Sequence, residues 1–296
     1  MALRVAFLGP SGTYTEEALL ASAPADVRPE PRSTVYETVM AVQDAQTDRA
    51  VVPIENSLEG GVAATLDALA GEADRVRIAA EVIHPIHHHL IAGRPLELQA
   101  VERVLSHPQA TGQCARFLRD SLPGAERVAA TSTAEAVRTV GDSPEPWAAL
   151  GSRLSARLYG GTVLAERVED HPDNLTRFVW LAPAGPEDAR PDGPAKTSVV
   201  FWGFNDSSPG ALMGVLREFS DRDINLTKIE SRPRRERLGH YMFFCDLAGH
   251  VLDHPVAGAL GALSERVETL RVLGSYPAAP TVPSGSQGAP PSHRPG

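Results

Sequence analysis

The stretch Leu3-Arg4-Val5-Ala6-Phe7-Leu8-Gly9-Pro10-Ser11-Gly12-Thr13-Tyr14-Thr15-Glu16 decides the fold class. A short apolar run breaks at Gly9-Pro10, and Thr13 then stands three residues before Glu16, the spacing of a capping box that opens a helix. The segment reads as strand, turn, helix. The device recurs at Thr34-Val35-Tyr36-Glu37 and Ser132-Thr133-Ala134-Glu135, each ahead of a helical pattern. Ala50–Ile54 and Ala148–Leu150 read as buried strands. Alternating strands and helices predict parallel sheets whose loops collect at the strand C-terminal edge. Polar clusters at those edges, residues 11–13, 55–57 and 106–109, are expected to converge on one crevice.

Working outward, two segments punctuate the chain. Residues 183–196 hold four prolines and two glycines, too broken for a helix or central strand. Residues 277–296 hold six prolines and three glycines, and read as a disordered Pro-rich tail whose apolar content is too small to offset its ordering entropy. The domains expected are therefore 1–182 and 197–276, with 183–196 as linker. In the second, Lys196–Phe204, Ile224–Ile229, His240–Leu247 and Leu270–Gly274 read as strands, with Pro209–Ser220 and Pro255–Val267 as helices. That order, βαββαβ, is a ferredoxin-like split unit, a form common in ligand-binding and dimerising modules.

Composition removes whole classes of function. The 296 residues carry 28 basic against 37 acidic side chains, a formal charge of −9. A nucleic-acid binder needs a basic footprint, and a polybasic membrane surface needs the same. Two cysteines, Cys114 and Cys245, exclude a disulfide framework or a cysteine-based zinc site. The opening residues lack the apolar core of a signal peptide, and no run approaches the roughly 20 apolar residues of a membrane span. A cytoplasmic protein is expected. Of the basic residues only Lys196 and Lys228 are lysines; the other 26 are arginines.

Each motif has two readings. Gly9-Pro10-Ser11-Gly12-Thr13 is an anion-holding turn at a helix start, or a tight turn with a cap. Asn56 with Glu59 is part of a site, or another cap. His84, His87, His88 and His89 look like metal ligands, but in a strand His87 and His89 share a face while His88 points away; the reading adopted is a strand with imidazoles and no metal. Pro108 suits a first helical turn, which places Ser106 and Gln113 as neutral hydrogen-bonders at a helix start. Cys114 reads as packed, not nucleophilic. In Asp173-Asn174-Leu175-Thr176-Arg177-Phe178, a regular pleat sets Thr176 and Phe178 on one side and Arg177 on the other.

Taken in order, Gly9–Ala18, Pro53–Ser57, Ser106–Gln109 and Asn174–Phe178 resemble prephenate dehydratase. Downstream, Pro209-Gly210-Ala211-Leu212-Met213 and Glu230-Ser231-Arg232-Pro233 look like the Gly-Ala-Leu-Val and Glu-Ser-Arg-Pro motifs of that family's regulatory ACT domain, with Met213 in place of the usual valine. The resemblance spans about residues 3–276 and, with no chorismate mutase segment read ahead of Leu3, is to the monofunctional form. It implies a two-lobed catalytic domain like that of periplasmic binding proteins, plus the ACT domain. The implied activity is conversion of prephenate to phenylpyruvate, in a homo-oligomer (dimer or tetramer) inhibited by L-phenylalanine and needing no cofactor.

The resemblance places the family's essential threonine on Thr176, with Glu55, Asn56, Ser57, Ser106, Gln113 and Arg177 around it. Glu55 or a bound water is the expected relay partner of the threonine, and Arg177 with the amides of Ser11, Gly12 and Thr13 the expected carboxylate holders. The pleat leaves Arg177 open: either the strand is irregular there, or Arg177 supports the fold. Phenylalanine is expected at Pro209 to Met213, Asn225 and Glu230 to Pro233. Arogenate dehydratase and a non-catalytic amino-acid sensor are the alternatives.

Overall fold

The computed structural model describes residues 2–185, 190–204, 208–236 and 238–280. Part of the expected linker and the Pro-rich tail from 281 onward lie outside the described residues. The elements run β1 (Leu3–Leu8), α1 (Tyr14–Ser22), β2 (Val27–Arg32), α2 (Val35–Gln43), β3 (Arg49–Asn56), β4 (Gly60–Gly61), α3 (Ala63–Ala70) and β5 (Val76–Pro85). A second group follows: β6 (His89–Ala92), β7 (Arg103–Ser106), α4 (Pro108–Gln113), α5 (Ala115–Ser121), β8 (Glu126–Ala129), α6 (Thr133–Gly141), β9 (Trp147–Gly151), α7 (Arg153–Leu158) and β10 (Thr162–Ala165). The chain then returns through β11 (Leu175–Pro183) and ends with β12 (Ala195–Trp202), α8 (Ala211–Ser220), β13 (Leu226–Pro233), β14 (Tyr241–Ala248), α9 (His254–Ser264) and β15 (Thr269–Pro277).

The three helix starts anticipated from the sequence are capped as expected. Thr13, Thr34 and Ser132 each accept, through the side-chain oxygen, the N–H of the glutamate three residues on. The first lobe's sheet has the order β2-β1-β3-β11-β5, with β4 against β3. The second lobe's order is β10-β6-β9-β7-β8. Parallel pairing holds for β1 with β2 and β3, and for β7 with β8 and β9. The expectation of wholly parallel sheets is corrected by β11, antiparallel to both its neighbours, and by β6 and β10. The cause is connectivity: the chain leaves the first lobe after β5 and returns through β11, entering that sheet in reverse.

The first lobe's sheet is covered on both faces. Val5, Phe7, Val51, Phe178 and Trp180 pack with α1 residues Ala18 and Leu19. Their strand neighbours Ala6, Ala50, Val52, Val179 and Leu181 pack on the other face with α2 and α3. The C-terminal unit is the expected βαββαβ, with sheet order β13-β14-β12-β15. Val199, Phe201, Cys245 and Leu247 face α8 and α9. The alternate residues Val200, Met242 and Phe244, with Leu273 and Tyr276, join the first lobe's own core. The two units therefore share apolar surface, a face that a free unit of this kind would leave to water. Among the described residues no helix is long and apolar enough to cross a membrane.

Gly274 marks how close this junction is: a methyl there would overlap the Ile78 carbonyl oxygen of β5. We expect Gly274→Ala to destabilise the chain by about 1–3 kcal/mol, the usual cost of overpacking. Gly261→Ala, on the exposed face of α9 with open space around it, is expected to raise stability by up to about 1 kcal/mol. Urea denaturation of both variants checks the contrast.

Candidate active site

The C-terminal edges of both sheets open on a cleft of about 410 Å³ between the lobes. Residues at the starts of α1, α2, α4 and α6 line it (Thr13 and Tyr14, Val35, Gln109, Ser132 and Thr133), as does Val62, the residue before α3. Helix N-termini carry partial positive charge, so the cleft suits an anion. Its lining includes neither Lys nor Arg, and neither Asp nor Glu.

Asn56 organises the floor. Its Oδ1 accepts the N–H groups of Leu58 (2.9 Å) and Glu59 (3.0 Å). Two backbone donors can meet only the oxygen, so the amide orientation is settled by chemistry. Nδ2 then donates to Thr176 Oγ1 at 2.8 Å and to Asn174 Oδ1 at 2.8 Å. Asn174 in turn donates from Nδ2 to Gln113 Oε1 at 3.0 Å. That oxygen also lies 3.0 Å from His88 Nε2, which must carry the proton. Burial lowers the pKa of His88, keeping the ring neutral, and its Nδ1 faces the Tyr14 hydroxyl at 2.8 Å. Thr176 Oγ1 is thus an acceptor from Asn56. Its own proton has no protein acceptor among the described residues and is free for whatever occupies the cleft.

The expected site residues separate into groups. Thr176, Asn56, Gln113 and Thr13 line the cleft. Ser57 is exposed, and its Oγ accepts the Leu175 N–H, stitching β3 to β11. Ser106 is fully buried and donates to the Leu150 carbonyl. In the turn at Ser11 and Gly12 the Gly12 N–H is already taken, donating to Glu16 Oε2 at 2.6 Å, and Tyr159 and Ser152 donate to the Ser11 and Gly12 carbonyls. The turn is thus a strut between the lobes, and its Gly12 amide is lost to the expected anion holder. Burial raises the pKa of the Glu16 carboxyl.

Arg177 and Glu55 do not face the cleft. In the β3–β11 register Thr176 opposes Asn56 and Arg177 opposes Glu55, so each pair takes one face. The bulge falls after Arg177, where Pro53 lacks an N–H to give, and does not turn the arginine inward. Arg177 instead meets Glu55 (3.2 Å), Glu81 (3.1 Å) and Asp246 of the C-terminal unit (2.7 Å). Burial pulls its pKa down, but Asp246, Glu81 and Glu55 together hold it above the usual value. This corrects both expectations: Glu55 is no relay to Thr176, and Arg177 is no carboxylate holder.

The sequence reading passed over Asn174, His88, Tyr14 and the Ser132 helix start as parts of the site. The i, i+2 spacing of Asn174 and Thr176 was the available signal. His87 and His89 line a separate cavity while His88 faces the cleft, but the expected strand is corrected: His87 and His88 lie between β5 and β6, and only His89 belongs to a strand. Cys114 is buried, with a thiol pKa raised by burial, and packs in the second lobe's core.

In the C-terminal unit, Gly210 to Met213 line a cavity of about 330 Å³ with Phe204, Tyr241 and Phe243. Pro209, Asn225, Glu230, Ser231, Arg232 and Pro233 do not. Asn225 is exposed, and Glu230 and Arg232 point to the catalytic lobe, where Arg232 grips Asp67 of α3 through two bonds of 2.7 and 3.0 Å.

Residues 5–185 match the family model for prephenate dehydratase, and residues 205–265 that for the ACT domain. The prephenate dehydratase of Mycobacterium tuberculosis is 39% identical over 287 residues, covering 94% of this chain and 88% of the relative. The prephenate dehydratase of Arthrobacter aurescens, solved in complex with L-Phe, superposes with a TM-score of 0.86 at 39% identity, covering 95% of this chain and 94% of that one. A quorum-quenching acylase superposes with a TM-score of 0.83 at 31% identity, covering 94% and 98%.

Removing Arg177 tests its reassignment. Arg177→Met leaves buried carboxylates without their counter-charge, a loss of about 3–5 kcal/mol. Urea denaturation should register it; an unfolding free energy within about 1 kcal/mol of the native chain's would return Arg177 to the ligand.

Proposed function

The chain belongs to the prephenate dehydratase family, and from that premise we propose that the cleft around Thr176 carries out the elimination. The reaction breaks the C–CO₂ and C–O bonds of prephenate. The electrons of the first enter the ring as it becomes aromatic, and the second departs with its pair, takes up a proton and leaves as water. Phenylpyruvate, carbon dioxide and water account for every atom. Because aromatisation drives the change, the protein has to position the substrate and ease the leaving oxygen.

The observation carrying this reading is the Thr176 hydroxyl, oriented by the Asn56 amide at 2.8 Å with its proton unclaimed. It donates a hydrogen bond to the departing oxygen as negative charge builds there. A threonine hydroxyl is too weak an acid to give up the proton outright, so its part is stabilisation, and water supplies the proton. The helix starts and neutral hydroxyls of the cleft receive the two carboxylates. An arginine clamped on the carboxylate that must leave as neutral carbon dioxide would hold the ground state more tightly than the transition state. The uncharged lining fits that requirement. It also favours prephenate over arogenate, whose ammonium group would meet no carboxylate among the lining residues.

The ACT domain reads as the phenylalanine sensor. Phe204, Tyr241 and Phe243 offer an apolar wall for a benzyl ring, and the α8 N-terminus at Gly210 a place for a carboxylate. Exposed Met213 and Tyr241 lie at this same cavity and support a homo-oligomer joined there. With this goes a cytoplasmic enzyme with domain limits near 182 and 197. Glu230 and Arg232 tie the domain to the catalytic lobe, while Asn225 and the Glu-Ser-Arg-Pro segment keep their expected place at a phenylalanine site shared between paired ACT domains.

Thr176→Ala should lower the rate of phenylpyruvate formation, followed by ultraviolet absorbance, at least about a hundredfold with little change in melting temperature. Thr176→Ser should keep most of it, and near-native turnover of the alanine variant would remove Thr176 from the mechanism. Gly210 has φ +83°, a region side chains rarely adopt. Gly210→Val should therefore raise the phenylalanine concentration needed for half-inhibition at least about tenfold, read as the ratio of rates with and without the amino acid.

A further inference from the structure

We propose that Lys228 is a positioning residue that couples the ACT domain to Thr176. The inference rests on the reading that phenylalanine acts through this domain, and supplies the route. Of 28 basic residues only two are lysines, and both sit at the junction of the two units. Lys196 Nζ lies 2.8 Å from Glu81. Lys228, with its side chain only 8% exposed, lies 3.2 Å from Glu55 and 3.0 Å from Glu230.

One ammonium therefore ties the Glu-Ser-Arg-Pro segment of β13 to the residue next to Asn56. A second contact runs beside it. The Glu230 carboxylate lies directly against Gly61, where any Cβ would overlap it, and Gly61 pairs with Glu55 in the β3–β4 hairpin. Both ends of that hairpin, Asn56 and Val62, line the cleft.

The residue type suits the task. An ammonium has three rotatable donors and no fixed plane, so it redistributes between two carboxylates as they move, whereas a guanidinium fork is tied to one geometry. Its burial forbids it from releasing both. A displacement of β13 by an effector thus alters how Lys228 is shared and pulls on Glu55. Glu55 is adjacent to the amide that orients the Thr176 hydroxyl. An effector that prefers one arrangement of this tie must, by reciprocity, alter substrate binding or turnover.

The test separates binding from its consequence in the full-length chain. L-Phenylalanine binding is measured by calorimetry, and inhibition by the rate of phenylpyruvate formation at saturating L-phenylalanine. For Lys228→Met we expect binding within about threefold of native, while the inhibition factor falls at least about tenfold. Lys228→Arg, which keeps the charge, should restore part of it. Gly61→Ala displaces the Glu230 carboxylate without touching the lysine and should weaken inhibition in the same sense; it carries the test if Lys228→Met does not fold. Inhibition of Lys228→Met or Gly61→Ala within twofold of native overturns the role of Lys228 alone. A native chain that binds no L-phenylalanine overturns the sensor reading, and the coupling with it.

Discussion

A β-strand changes face at every residue, and two adjacent positions on two paired strands set the character of this protein. Asn56 and Thr176 turn to the cleft; Glu55 and Arg177, one residue away on each strand, turn to the C-terminal domain. The Thr176 hydroxyl and the ionic junction are thus back to back across a single layer of backbone. Neither strand can shift its register by one residue without exchanging the two sets, placing an arginine in the cleft and a threonine among buried carboxylates.

The separation of charge follows from that constraint. Full charges concentrate at the junction, where Arg177, Lys196 and Lys228 meet Glu55, Glu81, Asp246 and Glu230. The cleft is built of amides, hydroxyls, a neutral imidazole and helix starts. For a reaction in which one carboxylate loses its charge as carbon dioxide, dipoles serve better than fixed cations. They hold an anion without opposing its disappearance as strongly as an ion pair would.

Much of this was legible in the sequence. Thr13, Thr34 and Ser132 announced their helices because a cap is local chemistry, complete within four residues. The βαββαβ order was readable for the same reason. The site was read less well where long-range partners decide. Motif membership grouped Glu55 with Asn56 and Arg177 with Thr176, although their faces differ. The pleat had left Arg177 open, and only Asp246, almost seventy residues on, resolves it. The Gly12 amide looked available until Glu16 folded back onto it, and the reversed entry of β11 depends on a crossing that no local pattern records.

The hydrogen-bond chain from Asn56 through Asn174 to Gln113 joins the two lobes, since Gln113 belongs to α4 while the asparagines stand on β3 and at the entrance to β11. Gln113 is held again by Glu59 at 3.3 Å and by His88 at 3.0 Å. His88 is itself fixed by its backbone N–H on Glu169, which also binds His87. The orientation of Asn56 is imposed by two backbone amides, and with it the direction of the bonds to Thr176, Asn174 and Gln113. The orientation of the Thr176 hydroxyl is therefore a property of both lobes together. A change in their relative position reaches it through Gln113, and a change in the ACT domain reaches it through Glu55, so two independent inputs converge on the same asparagine.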